Sequence, residues 1–348
     1  MNRARWLRLH KYVGLAMATL LLVQAATGML LLYRGPVARW IDPAGLASHG
    51  TAPAISAGTA VAGAERALPG YAVARLFAPD ADGATYIAEL SEAHGAKRYA
   101  SVDPAGGAVL RAGPIWAFPV EAALQLHYRL MAGKAGMAIV LLNALALLAM
   151  AATGLAYWWP RKGPVTKQLS IRWNLAFRLV LRQLHRTTGV VASALFGFMA
   201  VTGLLLVVPE LIEADAPARS QPASSAAIDR ALALTQSAFP DSALRDFRLT
   251  DERLIANFHA PERNPRAVHR AIATLADPHI ISATRAEKNE ALWMTILPLH
   301  TGNSFGPIGP VAIMIVALAL IALSITGPLI WWQARAVRRR SATRKQIA

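Results

Sequence analysis

Four long apolar runs organise the chain: Trp6–Tyr33, Glu121–Trp159, Ala176–Val208 and Ile296–Trp332. Each exceeds the roughly 20 helical residues that a hydrocarbon core requires. Between the first and second runs, and between the third and fourth, the pattern changes to short alternating segments. The first intervening segment predicts a helix around Ala60–Leu68 and strands near Val73–Phe77, Thr85–Leu90 and Arg98–Val102. A turn at Asp103-Pro104 then leads into Ala108–Arg111. The second predicts a helix around Ala226–Phe239, strands near Leu244–Leu249, Leu254–His259 and Val268–Leu275, then Asp277-Pro278 and Ile280–Ala283. Both segments are too long to be plain connections. The division expected is a first span in 1–34, an outside domain in 35–120, a second span in 121–159 and a linker in 160–176. A third span in 177–208, a second outside domain in 209–295, a fourth span in 296–332 and a basic tail in 333–348 complete it. The fold class is an α-helical membrane protein with four transmembrane helices and two α+β outside domains.

Composition agrees. Of 348 residues, 55% are hydrophobic and 16% charged, with mean hydropathy +0.35. The net charge of +16 raises the question of nucleic acid, but its distribution excludes that reading. Segments 1–11, 160–186 and 333–348 carry Lys and Arg and no Asp or Glu, whereas acids and bases nearly balance in 35–121 and 209–295. Basic stretches alternating with neutral ones across apolar spans follow the positive-inside rule. Both termini and the 160–176 linker are therefore expected in the cytoplasm, with the longer segments outside. Trp158-Trp159 and Trp331-Trp332 close spans two and four as interfacial aromatics do. The first span is not read as a cleaved signal peptide, because its apolar run is longer than a typical h-region. Cysteine is absent, which excludes disulfides, Cys-ligated clusters, covalent c-type haem and thiol chemistry.

The two halves repeat in detail about 174 residues apart. His10 and Gly28 are 18 residues apart, as are His185 and Gly203; His127 and Gly154 are 27 apart, as are His300 and Gly327. Each of these glycines follows a threonine: Thr27, Thr153, Thr202 and Thr326. Gly133 and Gly136 follow His127 at the offsets that Gly306 and Gly309 keep from His300. An internal duplication of a span–outside domain–span unit accounts for all of this.

Every span then carries one histidine near an end: His10 and His185 at the cytoplasmic side, His127 and His300 at the outer side. An ionisable group in a membrane is costly unless paired or functional. A lone imidazole is explained by a hydrogen bond near the headgroups. Four in two symmetric pairs suit the axial ligation of two haem irons, because the porphyrin supplies the other four nitrogens. A bare metal wants three or four protein ligands, and no nearby carboxylate completes such a set.

Eighteen helical residues return Gly28 to the face of His10, about 27 Å along the axis and near the level of His127. Gly28 and Gly203 are thus candidates to face the outer haem. Gly154 and Gly327, about seven and a half turns from their histidines, either border the inner haem or pack helices. Lys11, Arg8, Arg182 and Arg186 flank the inner pair and Arg129 the outer one, as propionate partners or snorkelling cations. Gln24 and Asn143 read as helix–helix hydrogen bonds. Phe196 and Phe198 lie between the two levels, as a bridge or as core. His259, His269, His279, Arg263 and Arg266 read as a solvated polar face.

The L-x-L-H and L-H-[KR]-x-x-G helix starts, the T-G then W-W helix ends and the outside helix–strand–DP-hairpin modules resemble the PepSY-associated transmembrane helix family, from Arg5 to Trp332. That family includes inner-membrane siderophore ferric reductases with two b-type haems. The resemblance implies haem ligation at His10, His185, His127 and His300, PepSY-like periplasmic domains, and a multi-pass protein of the bacterial inner membrane. It also implies an oxidoreductase that passes electrons outward to a ferric siderophore. No G-x-G-x-x-G opens a strand–helix unit, so the electron donor is expected to be a cytoplasmic reductant, another protein or a quinol. Two alternatives remain. One is the same haem wire serving a quinone or another periplasmic acceptor. The other is a non-catalytic membrane module whose outside domains bind a partner protein.

Overall fold

A computed structural model describes residues 2–48, 50, 52–80, 83–92, 95–160, 163–213, 219 and 222–347, with side chains described only as far as 336. His49, His94, Arg161 and Lys162, and the side chains of the tail arginines from Arg338 onward, lie outside the described residues. In chain order the elements are α1 (Arg3–Leu31), α2 (Arg34–Ile41), α3 (Pro43–Leu46), α4 (Ala57–Ala67), β1 (Ala72–Phe77), β2 (Tyr86–Ser91), β3 (Lys97–Val102), β4 (Val109–Gly113), α5 (Pro119–Arg129), α6 (Gly133–Trp158) and α7 (Val165–Leu169). They continue with α8 (Phe177–Ile212), α9 (Ser225–Ser237), β5 (Leu244–Leu249), β6 (Arg253–His259), β7 (Val268–Thr274), β8 (Ile280–Thr284), α10 (Trp293–His300) and α11 (Ile308–Ile347).

Contacts divide the chain into two units. The first comprises Met1–Leu32, Leu124–Ile212 and Leu299–Ala348. It holds α1, α6, α8 and α11, four helices long and apolar enough to cross a membrane. α1 and α8 each pack against both α6 and α11, so the sequence around the bundle is α1, α6, α8, α11. Asn2 caps α1 by accepting from the Arg5 amide at 3.0 Å. The Arg3 guanidinium donates to the carbonyls of Tyr157, Trp158 and Trp159 at the C-terminus of α6, where a cation meets the negative end of the helix dipole. Leu21, Leu147, Ala192, Phe196, Ala200 and Val316 form the buried centre.

Spans two and four are not the continuous helices expected. Each is a short helix bearing the histidine (α5, α10), a break, and then the membrane helix (α6, α11). At the first break Leu130 and Met131 take φ of 46° and 58°, in the left-handed region that L side chains rarely adopt. The glycines at repeated offsets make both breaks possible. Gly133 and Gly306 have φ of 54° and 66°. A Cβ on Gly136 would overlap the Arg129 carbonyl, and one on Gly309 would overlap that of Gly302.

The second unit comprises Tyr33–Ala123 and Glu213–Pro298. The helix and strand expectations for both outside segments hold to within a few residues, and each runs a helix followed by four strands (α4 and β1 to β4, α9 and β5 to β8), with α2 and α3 preceding the first set. The expected pair of separate domains does not appear. The segments share one eight-stranded antiparallel sheet of order β4-β3-β2-β1-β5-β6-β7-β8. Its seam pairs Arg75 with Arg248, Leu76 with Phe247 and Phe77 with Asp246. Joining at β1 and β5 removes two exposed edges that separate sheets would each leave open. α4 and α9 cover one face over a core that includes Val61, Leu76, Ile228, Phe247 and Phe258. Asp229 of α9 accepts from the Gly58 amide at 2.8 Å, so one helix caps the other. On the seam the Asp246 carboxylate is fully buried. It accepts from Arg75 at 2.9 Å, Arg245 at 2.7 Å and Asn257 at 3.1 Å.

Candidate functional site

The break after α5 and the break after α10 place His127 and His300 face to face inside the bundle. Their ring centroids are 6.4 Å apart, with the planes tilted by 58°. Neither residue lies on the spanning helix itself, so each is aimed by its short helix and held by a neighbouring span. Thr27 of α1 meets His127 Nδ1 at 3.1 Å, and Thr202 of α8 meets His300 Nδ1 at 2.8 Å. At the opposite end of the bundle the arrangement recurs with the roles exchanged. His10 of α1 is held by Thr153 of α6, with Nδ1 at 3.4 Å from Oγ1, and His185 of α8 by Thr326 of α11 at 2.7 Å. Helix α1 thus holds the histidine of α5 and has its own histidine held by α6, and α8 likewise holds the histidine of α10 and has its own held by α11.

The hydrogen bonds fix the tautomers. His127 Nδ1 also lies 3.0 Å from the Gln24 carbonyl, and His10 Nδ1 lies 3.0 Å from the Met150 carbonyl. A carbonyl only accepts, so in both rings Nδ1 carries the proton. Thr202 donates its single hydroxyl proton to Phe198 O at 2.9 Å, which obliges it to accept from His300 Nδ1. With Nδ1 protonated, Nε2 of each of these imidazoles carries the lone pair, the form that binds a metal.

The glycines of the Thr-Gly pairs lie close to the histidines. Gly28 and Gly203, expected to face the outer haem, lie against the imidazoles. A Cβ on Gly28 would stand 2.8 Å from His127 Cε1, and one on Gly203 would stand 3.6 Å from His300 Cε1. Gly154 and Gly327 do the same for His10 and His185, at 3.2 and 3.4 Å. Gly154 and Gly327 thus lie beside the histidines of other helices, not beside His127 and His300. Thr-Gly is a two-residue clamp: the hydroxyl orients the ring and the missing side chain leaves room for it.

The donor set suits a haem iron. Metal–imidazole bonds are about 2 Å long and a ring nitrogen lies about 1 Å from the ring centre, so two imidazoles sharing one iron put their centroids about 6 Å apart. The outer pair has that spacing. Among the described residues no group of three or more His, Asp or Glu gathers to hold a bare ion.

The remaining polar residues have structural partners. Gln24 and Asn143 hydrogen-bond each other across α1 and α6. Arg129 pairs with Glu210 at 3.1 Å, Lys11 lies over Tyr12, and Arg186 donates to the Ser170 carbonyl at 3.2 Å. Phe196 is part of the bundle core, and Phe198 is half-buried. In the second unit His269 accepts from the Ala286 amide, pairs with Glu262 at 2.9 Å and stacks on Phe239. Arg263 donates to the carbonyls of Ala286 and Asn289. His279 closes the Thr274–Asp277 turn. The clamp residues Thr27, Thr153, Thr202 and Thr326 were visible in the sequence as the residues before the repeated glycines. Their hydrogen-bonding role was not, because each serves a histidine on another helix.

No curated protein matches this chain. The family model for the PepSY-associated TM region matches residues 7–334, from the first histidine helix to the end of the last span. The chain is a multi-pass membrane protein and belongs to the PepSY-associated transmembrane family.

Proposed function

We propose that this protein is a transmembrane electron carrier that binds two b-type haems and reduces ferric-siderophore iron on the periplasmic side of a bacterial inner membrane. The observation that carries the reading is the pair His127 and His300: two imidazoles with ring centroids 6.4 Å apart, each with Nδ1 engaged by a threonine. The recurrence of the same clamp around His10 and His185 supports a second site at the other end. Haem, when bound, supplies one-electron chemistry without proton transfer. The chain's own part is to hold four ligands rigid, fix their tautomers through threonine hydroxyls and keep water out of an apolar bundle. The charge distribution supports cytoplasmic termini, with the basic ends and linker on that side. The matching element order of the halves supports an origin by duplication. The siderophore as acceptor rests on the resemblance of the helix-start, Thr-Gly and outside-module motifs to reductases of the family.

The test is a spectrum followed by a reoxidation assay. Purified protein expressed with ample haem should show a b-type Soret band and a reduced α-band. His127→Ala and His10→Ala should each remove one haem and leave the other. A colourless protein overturns electron transfer. Dithionite-reduced protein should reoxidise faster with a ferric siderophore than with buffer, and equal rates would reject the siderophore while leaving the wire.

A further inference from the structure

The two halves of the bundle differ at one place that touches a proposed ligand. Three residues before each Thr-Gly pair stand Gln24, Met150, Met199 and Leu323. Only Gln24 has a polar side chain, and it engages His127 twice. Its carbonyl accepts from the imidazole Nδ1 at 3.0 Å, and its side-chain Nε2 donates to the His127 carbonyl at 3.0 Å. That carbonyl is available because the helix stops two residues later: the Met131 amide turns back to Gln125 O at 3.4 Å instead of continuing the ladder. With Nε2 committed as donor, Gln24 Oε1 must accept, and Asn143 Nδ2 supplies the donor. Asn143 is 1% exposed, and its Oδ1 has no partner among the described residues. An unmet acceptor in a membrane bundle is costly packing. The corresponding positions in the second half, Met199 and Val316, fill their places with apolar side chains packed around the bundle core.

We infer that Gln24, oriented by Asn143, is a positioning residue for the outer ligand His127, so that the two outer ligands are unequal: His127 is tied at ring and backbone, His300 at the ring. The inference rests on the two-haem reading. It assigns to the polar dyad a role in holding one ligand geometry, because a residue whose ring and main-chain carbonyl are both hydrogen-bonded to α1 is held against rotation of its helix end.

The experiment installs the second half's residues in the first, as Gln24→Met and, separately, Asn143→Val, in the full-length haem-loaded protein. Haem content and a redox titration resolved into two components are the readouts. The outer component is identified as the one lost in His300→Ala. Gln24→Met should weaken outer-haem retention about 10-fold and displace that component's potential, with the inner component unchanged. Asn143→Val should act in the same direction and less strongly. Wild-type retention and potential in both variants would overturn the inference, as would equal weakening of both haems, which reports general loosening. Should Gln24→Met fail to accumulate, Asn143→Val decides alone. A wild-type protein without haem would instead reject the reading on which the inference stands.

Discussion

Gly28 of one span lies against the imidazole of His127 from the helix before the next, and a Cβ on that glycine would stand 2.8 Å from the ring's Cε1. The other clamps are looser, at 3.2 Å for Gly154 and His10, 3.4 Å for Gly327 and His185, and 3.6 Å for Gly203 and His300. Alanine substitutions should therefore be graded. On the proposed two-haem reading, Gly28→Ala must displace the ring and should strip most of the haem held by His127, Gly154→Ala should loosen the one held by His10, and Gly203→Ala should be close to silent. Soret absorbance per protein after purification ranks the four; Gly203→Ala proving the most damaging would refute the clamp geometry.

The threonines divide by what else their histidine has. His10 and His127 also donate to a backbone carbonyl, whereas the hydroxyl is the partner given to His185 and His300. Thr→Val keeps the shape and removes the acceptor. At Thr202 it leaves a buried N–H unmatched, which costs about 1–3 kcal/mol, and at Thr326 it removes the hydroxyl partner of His185 Nδ1. At Thr27 and Thr153 the carbonyl takes over. Haem dissociation should accelerate about 10-fold or more in Thr202→Val and Thr326→Val, and by much less in the other two.

The breaks at 130–132 and 301–307 should tolerate no side chain on their inner glycines. A Cβ on Gly136 or Gly309 overlaps the carbonyl of Arg129 or Gly302, and backbone on both sides has nowhere to go. Gly136→Ala and Gly309→Ala should each destabilise the protein by about 3 kcal/mol, seen as a lower thermal midpoint in detergent and as loss of the outer haem before the inner. Gly197→Ala, where a Cβ meets nothing within 4 Å, is the matched control and should behave as wild type.

The seam of the sheet is pH-sensitive in one direction. Burial alone would raise the Asp246 carboxyl, but the guanidinium groups of Arg75 and Arg245 and hydrogen bonds from Arg245 and Asn257 hold it below the ordinary carboxylate range. A depressed value means that its contribution to stability is complete above the unfolded pKa, about 4, and is lost as pH falls through the lower folded value. Asp246→Ala should cost about 3 kcal/mol, at the low end for a broken buried pair because Arg75 and Arg245 keep 23% and 24% exposure. Melting curves of the variant should converge on those of the wild type as the pH is lowered below 4; a constant gap at all pH values would argue against a charge role.

What could be read along the chain depended on whether its cause was local. Four spans, the helices α4 and α9 and the eight strands follow from apolar periodicity, and the structure places the strands and both of those helices within a few residues of expectation, while spans two and four begin with a separate short helix. The repeat offsets also marked the residues that matter, His10, His127, His185 and His300 with their Thr-Gly partners, before any geometry was known. What helical counting did not show was the break: two left-handed residues at 130 and 131 separate the helix of His127 from the helix of Gly154.

The sequence by itself determined which segments cross a membrane, which side chains are polar inside it, and that the chain repeats, because hydropathy and spacing are properties of the chain. Only the tertiary structure decided who meets whom. It set Thr27 and Gly28 on His127, brought the outer imidazoles within 6.4 Å, and joined two outside segments into one sheet through β1 and β5. Those contacts depend on the rotation of each helix about its axis and on open strand edges finding a partner. Both are fixed by packing among elements far apart in the chain, which no local pattern encodes.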